Sequence, residues 1–373
     1  MALTLAQAKV GMADKVDQNV IDLVQRQSAL MNALTYDDAV SPGTGGSTLT
    51  YGYLQTTTPA SAAGRAINSE YTAQEAVKTK KSVDLQIMGG SFEIDRVIAA
   101  NSNKRNDEVA YQIQEKTKAT VNRFNYLAIN GNKATTNEFD GLKTLLAGTE
   151  NEINAAAVAV NGAMTAAHAE DLCEALDLAI ASLDGAPSMI LCNSKMYTKL
   201  NAAARMLNFN ERIVDAFGNS VSTYNGTPIV DMKQYYNGTN TVDVIPTRTA
   251  AEYRVQAVTS STFKTDGSFA ASADGYLYTE SSGTYTKVSS GSYGSSTTYY
   301  ILVGAANTTE IYVVRLGLDG FHAVTPQGGV GLNVILPDFK QAGAVHKGEV
   351  EMVGCVALKS SKAAAVLRAI KVA

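Results

Sequence analysis

The sequence predicts an α+β fold of two units with appendages, and three observations carry that prediction. Asn103 to Ile129 is a polar-rich run without Pro or Gly, in which Val109, Ile113, Val121, Phe124 and Ala128 recur at helical intervals, with Thr117 in the same stripe. Val83-Asp84-Leu85-Gln86-Ile87 alternates with period two, and Ser188-Met189-Ile190-Leu191-Cys192 is a short apolar run; both read as strands. Helical and strand signals are intermixed along the chain, the pattern of a mixed core. With 373 residues and 45% hydrophobic composition, the chain has material for a large buried interior.

The elements justify themselves in order. Residues 13–34 carry Val16, Val20 and Val24 at four-residue spacing, widened by Leu23, Leu30, Met31 and Leu34. That stripe fits a core helix of the same chain. Ser41-Pro42-Gly43-Thr44-Gly45-Gly46-Ser47 is a linker, because its residues favour turns and pack poorly. Across 48–88 two alternating arms, Leu49/Tyr51/Tyr53 and Val83/Leu85/Ile87, flank a Thr/Ala/Ser-rich centre, with Lys78, Lys80 and Lys81 crowding the returning arm. Two strands alone are marginal in water, so such a ribbon needs a partner surface. Gly89-Gly90 reads as a break, followed by a short apolar piece, Phe92 to Ala100. The long helix comes next, capped by Ser102 or Asn106 and stopped at Asn130-Gly131. Its narrow stripe predicts a spar with most of its surface facing water or other subunits.

Residues 169–184 predict an amphipathic helix, and Asn193-Ser194 caps another running through Leu200 to Met206. Asn225-Gly226-Thr227-Pro228-Ile229-Val230 reads as turn and strand. Between 247 and 308 the composition shifts to Ser, Thr, Gly and Tyr, with turns at Asp266-Gly267, Asp274-Gly275 and Ser282-Gly283. A small β-rich insertion on a surface loop and an ordinary meander both fit that stretch. At the end, Val350 to Val372 is expected to pair back near Val83 and close the first unit from both ends of the chain.

The order of strand, Gly break, short helix, long polar helix, Asn130-Gly131 and Phe139-Asp140-Gly141-Leu142 resembles the major capsid proteins of tailed bacteriophages, which share the Hong Kong 97 fold. Ile311 to Gly317, Thr325-Pro326-Gln327-Gly328-Gly329 and Gly348 to Val353 are similar to that family's late strands. The resemblance implies an N-terminal arm (1–47), an extended loop (48–88) and a peripheral domain (89–145 with 337–373) whose spine helix spans about 103–129. It also implies an axial domain (146–336) carrying the 247–308 insertion. By the same resemblance the chain is a structural shell subunit forming hexamers and pentamers around double-stranded DNA, assembled in a host cytoplasm and resident in the virion. A scaffolding protein, separate from this chain or removed from it, and a portal are the implied partners. Exposed insertion tyrosines fit adhesion or a decoration protein. Expected subunit contacts are Val16, Val20, Val24, Leu49, Tyr51, Tyr53, Lys78, Lys80 and Lys81. Some relatives join the loop covalently through a lysine and an asparagine; here a solvated charge run is the plainer reading of the lysines. An encapsulin-like compartment shell and a tail-associated adhesion protein are the alternatives.

Composition and motifs argue against an enzyme. The formal net charge of −4 disfavours tight nucleic-acid binding, which a shell merely enclosing DNA does not need. Cys173, Cys192 and Cys355 lack ligand spacing and read as buried thiols. His168, His322 and His346 are scattered, and His168-Ala169-Glu170-Asp171 reads as a polar helix start. Glu138 and Asp140 could be an acid/base pair of a hydrolase but read better as a turn beside Gly141. Gly328-Gly329-Val330-Gly331 lacks the Lys-Ser/Thr of a phosphate loop. No cofactor, metal or membrane partner is expected, because no run reaches membrane-spanning length.

Overall fold

The computed structural model describes residues 29–40, 49–101, 108–207, 212–214, 220–326 and 329–372. Two sheets share one interior. The first centres on the long strand β19 (Val345–Leu358), which pairs along one edge with β4 (Gln86–Asp95) and along the other with β17 (Phe321–Val324) and β18 (Leu332–Ile335). A two-residue strand β1 (Tyr36–Asp37) adds in parallel to β17. The second sheet has seven strands in the order β5 (Glu152–Asn154), β20 (Ala364–Lys371), β16 (Thr308–Val314), β6 (Met189–Cys192), β9 (Thr227–Asp231), β8 (Ser220–Tyr224) and β7 (Arg212–Val214).

Alternation in the second sheet explains why β6 and β16 read as apolar throughout. Ile190, Cys192, Ile311, Val313, Ala365 and Leu367 face one way, onto Leu172, Leu176 and Ala179 of helix α5 (Ala166–Ala181) and Met196 and Leu200 of α6 (Ser194–Met206). Leu191, Tyr312, Val314, Ala364 and Val366 face the other way, into the core shared with β17 and β19. A strand covered on both faces has no polar phase. The α5 and α6 starts are set locally: Thr165 and Asn193 accept hydrogen bonds from the third residue beyond them, at His168 and Met196. Asn225-Gly226 makes the left-handed turn between β8 and β9.

The spar is α3 (Glu108–Asn130), 23 residues and therefore about 35 Å long. The caps expected at Ser102 and Asn106 lie outside the described residues. Its burial is less even than a narrow stripe along the whole rod would give. The first half is thinly covered, with Val109 packing on Ile94 and Ile98. In the second half Phe124, Leu127, Ala128 and Ile129 sink into the shared core, with Thr120, Asn122 and Asn125 also buried. Phe124 is fully buried against Phe139, ring centroids 5.7 Å apart. Phe124→Ala is expected to lower the stability of the unassembled chain by about 3–5 kcal/mol in urea titration, because the cavity cannot collapse between two sheets. A loss below about 1 kcal/mol would contradict this placement.

Several sequence expectations need correction. Gly89-Gly90 does not break the chain; both residues lie inside β4, where a methyl at Gly89 would overlap the Val350 carbonyl. The Val83/Leu85/Ile87 alternation ends at Leu85: the chain passes there from one strand to the next, so Met88, Phe92 and Ile94 are buried while Ile87 is exposed. Phe92 to Ala100 is divided between the end of β4 and the short helix α2 (Arg96–Asn101). The C-terminal segment returns to the first sheet only as far as Leu358, where it pairs with β4 from Gln86 onward as well as with β17 and β18; β20 crosses to the second sheet. Likewise β17 and β18, expected in the axial unit, pair with β19.

The 247–308 stretch folds as its own antiparallel sheet, ordered β12 (Glu252–Gln256), β15 (Tyr299–Gly304), β13 (Leu277–Ser281) and β14 (Thr284–Lys287). It has a small core of Leu277, Tyr299 and Ile301 with Phe263, Phe269 and Tyr293. Gly267, Gly275, Ser282 and Gly283 all take positive φ, at the three Gly turns expected there. This is an insertion with its own interior.

Candidate assembly surfaces

The ribbon is β2 (Thr50–Thr58) paired antiparallel with β3 (Val77–Asp84), from Thr50 opposite Asp84 to Thr58 opposite Val77. Its two faces differ in kind. The Tyr51/Tyr53/Gln55 face turns onto its own chain: the Tyr51 hydroxyl donates to Asp37 Oδ2 at 2.7 Å, Tyr53 to the Leu358 carbonyl at 3.0 Å and Gln55 to the Lys359 carbonyl at 3.0 Å. The other face carries Leu54 opposite Lys80 and Thr56 opposite Lys78. Beyond the strands, residues 59–76 run exposed to a turn around Ile67-Asn68, where Asn68 takes a positive φ. Leu54 is 71% exposed, Ile67 92% and Tyr71 64%.

These positions revise the expected contact residues. Tyr51, 4% exposed, belongs to the chain's own core, and Tyr53 is half-buried against the same chain. Lys78, Lys80, Lys81 and Leu49 are exposed. Val16, Val20 and Val24 lie outside the described residues. The stripe they begin ends in α1 (Ala29–Ala33), where Leu30 and Met31, with Leu34 just beyond, are buried in the chain's own core. Leu54 was legible only as the residue out of phase with Tyr51 and Tyr53.

Two further apolar areas face outward. Ile87 and Val97 are exposed on β4 and α2. Across β19 from β4, β18 pairs, among the described residues, with β19 alone and exposes Val334, Ile335 and Leu336, followed by Phe339 against the His346 ring. An apolar strand edge left open is a template for another chain.

The insertion sits on the second sheet through buried charges. Arg254 binds Glu152 with both terminal nitrogens, at 2.8 and 2.6 Å. Arg368 donates to the carbonyls of Leu302, Val303 and Ala271, with Nε 3.2 Å from Glu152 Oε1. A bulge aims it there: the register between β16 and β20 shifts opposite Glu310, and Ala369 takes φ +66°. Arg248 bridges Glu310 and Glu252, and Lys143 reaches Glu252 at 2.6 Å. Burial pushes the Glu152 carboxyl up, but Arg254, Arg368 and the Gly148 amide outweigh it and hold it below its ordinary value. Beside this network lies a cleft of about 310 Å³ lined by Asn130, Lys143, Glu252, Arg254 and Tyr312. Its charged groups are engaged with one another, so it reads as a joint. Above it, one face of the insertion gathers Tyr253, Tyr278, Tyr285 and Tyr300, with Tyr253 and Tyr285 stacked at 4.0 Å.

The catalytic candidates dissolve into structure. Glu138 pairs with Arg123 at 2.6 Å, and Asp140 accepts the Lys133 amide at 2.9 Å, so the two hold a turn. His168 sits in the first turn of α5. Among the described residues, no group of three His, Cys, Asp or Glu could hold a metal, and no helix is long and apolar enough to cross a membrane.

A long helix laid across one sheet, its end buried in the core that this sheet shares with a second, and a two-stranded ribbon rooted at Asp37, Leu358 and Lys359 make up a Hong Kong 97-type fold. The whole chain (100%) superposes on 97% of the encapsulin in the holo-SrpI complex from Synechococcus elongatus PCC 7942, with TM-score 0.57 and 15% identity. The capsid of a native GTA particle gives TM-score 0.52 at 11% identity over 98% of this chain and 99% of that one. The capsid of the Myoviridae phage XM1 gives 0.51 at 10% identity over 95% and 96%. At the sequence level no curated relative matches. The profile of the SU10 major capsid protein family matches residues 12–265, and the chain belongs to that family. It is a structural capsid protein of the bacteriophage type.

Proposed function

We propose that this chain assembles as hexamers and pentamers into the icosahedral head that encloses a phage's double-stranded DNA, each copy laying its ribbon on the next. The observation that carries this is the ribbon itself, rooted on its own chain at Tyr51, Tyr53 and Gln55 while Leu54, Ile67, Tyr71 and Val77 stand in solvent. Leaving those side chains exposed is unfavourable, and a neighbour offers apolar ground at Ile87/Val97 and at Val334 to Phe339. Repeated head-to-tail, such contacts close into rings, and many modest interfaces sum to a stable shell. Leu49, Lys78, Lys80 and Lys81 lie at the rim of this contact, and Val16, Val20 and Val24 supply an arm. A scaffolding protein and a portal complete the assembly in the host cytoplasm, and the tyrosine face of the insertion suits a decoration protein.

Expression alone and with candidate scaffolding proteins, followed by negative-stain microscopy, tests this. Hollow icosahedral particles or their rings are expected; a monomer under every condition would overturn it. The likeness to the SrpI encapsulin favours one second reading, a compartment holding protein cargo. Particles from the native source that carry DNA support the head, and particles carrying one enzyme and no DNA support the compartment.

A further inference from the structure

The ribbon root contains a histidine that its own pocket leaves half satisfied. His322 on β17 is fully buried; its Nδ1 lies 3.3 Å from the Gly320 carbonyl, and its Nε2 has no hydrogen-bond partner. With Nδ1–H donating to Gly320, the ring is neutral and Nε2 presents a lone pair. A carboxylate oxygen lies 3.9 Å from Nε2, Asp37 Oδ2, which the Tyr51 hydroxyl already holds. Lys359 lies 3.7 Å from the same oxygen and 5.5 Å from the centre of the Tyr51 ring, and that ring meets His322 edge-on at 5.7 Å. Asp319, from the loop before β17, is the remaining charge acting on His322, and the Cys355 thiol of β19 faces Tyr51.

Protonating Nε2 changes what Asp37 must do. A second cation then sits in a pocket that already holds Lys359, and a buried charge needs a partner. The nearest carboxylate is Asp37, and a charge-assisted bond requires closing the gap to about 2.8 Å. That movement draws Oδ2 away from Tyr51, one of the three side chains bonding the ribbon to its own chain. We infer that His322 is an acid-operated release for the ribbon: a proton taken up at Nε2 transfers Asp37 from Tyr51 to the imidazole and lets the ribbon pivot about its root. The transfer needs no reactant besides the proton.

Burial, with Lys359 adding to it, holds the His322 pKa below its ordinary value of 6.5, the Gly320 carbonyl, Asp37 and Asp319 opposing them only in part. A lowered folded pKa means that the root is most stable above the unfolded value and weakens as pH falls through the folded one. Asp37 is itself held below its ordinary 3.8: burial raises it, but Tyr51, the Ala39 amide and Lys359 lower it more, so it stays ionised through the window.

Hydrogen–deuterium exchange of the full chain, corrected for the intrinsic pH dependence, tests this on peptides covering β2 and β3. Between about pH 7.5 and pH 5, protection there is expected to fall at least tenfold while β16 keeps its own. His322→Gln is expected to abolish the pH dependence. Tyr51→Phe, which keeps the ring, is expected to show the low protection already at pH 7.5 and serves if the Gln variant does not fold. Unchanged protection across the range, the same acid response in His322→Gln, wild-type protection in Tyr51→Phe at pH 7.5, or a parallel loss in β16 would each overturn the inference.

Discussion

Replacing residues 59–76 with a short Gly/Ser turn is expected to leave a folded subunit that forms no closed shells. Residues 59–76 are exposed throughout, and the side-chain bonds they make stay within the tip. Ile67 is 92% exposed, and the side-chain bonds from the ribbon to its own chain come from Tyr51, Tyr53 and Gln55 below it. Thermal and urea unfolding of the unassembled chain should therefore move little, since loop length costs fractions of a kcal/mol. Assembly should suffer far more, because each copy loses one donated contact and one received contact in a lattice held by many such pairs. Sedimentation should show at least a tenfold loss of particle-sized material. Full yields of closed shells from the shortened chain would mean that the ribbon does not join subunits.

Glu152→Ala is expected to cost about 3–5 kcal/mol of subunit stability, among the largest effects of any single charge removed. The Glu152 side chain is buried between Arg254 and Arg368; its loss takes from Arg254 the carboxylate that both its terminal nitrogens bind, and from Arg368 its countercharge, while Arg368 keeps its carbonyl acceptors. The damage should concentrate where the insertion meets the second sheet, so proteolysis within 257–298 should accelerate before the central strands unfold. The same site sets an acid limit. Because the Glu152 carboxyl is held below its ordinary value of 4.5, its contribution is present above that value and is lost as pH falls through the lower folded pKa. Urea titrations of the wild-type chain at stepped pH should show stability dropping in that range, and Glu152→Ala should flatten part of the drop. A variant within about 1 kcal/mol of wild type would show that the joint carries little.

What the sequence reveals and what it hides follow from the range of the forces involved. Asn193 and the Asn225-Gly226 turn act on residues within a few positions, so they are legible from composition alone. The Ser282-Gly283 hairpin is legible for the same reason. Gly89 is not, because the reason for a glycine there is the Val350 carbonyl, 261 positions away. Tyr51 and Leu54 alternate in the expected way, yet alternation cannot say which face turns inward; Asp37 decides that, from a strand across a linker. The Glu152, Arg254 and Arg368 joint has no local signature at all. Its members are spread over more than 200 residues and meet only once both sheets are formed. The spar was visible as a helix, but the burial of its second half depends on the sheets that close over Phe124 and Leu127.

Cryo-electron microscopy of the assembled particle measures the central claim most directly, through the surroundings of Leu54 and Tyr71. The expected map has ribbon density continuing onto an adjacent copy, with both side chains covered by residues that are not their own. A map in which the ribbon folds back over its own subunit, or projects into solvent without touching a neighbour, would contradict it.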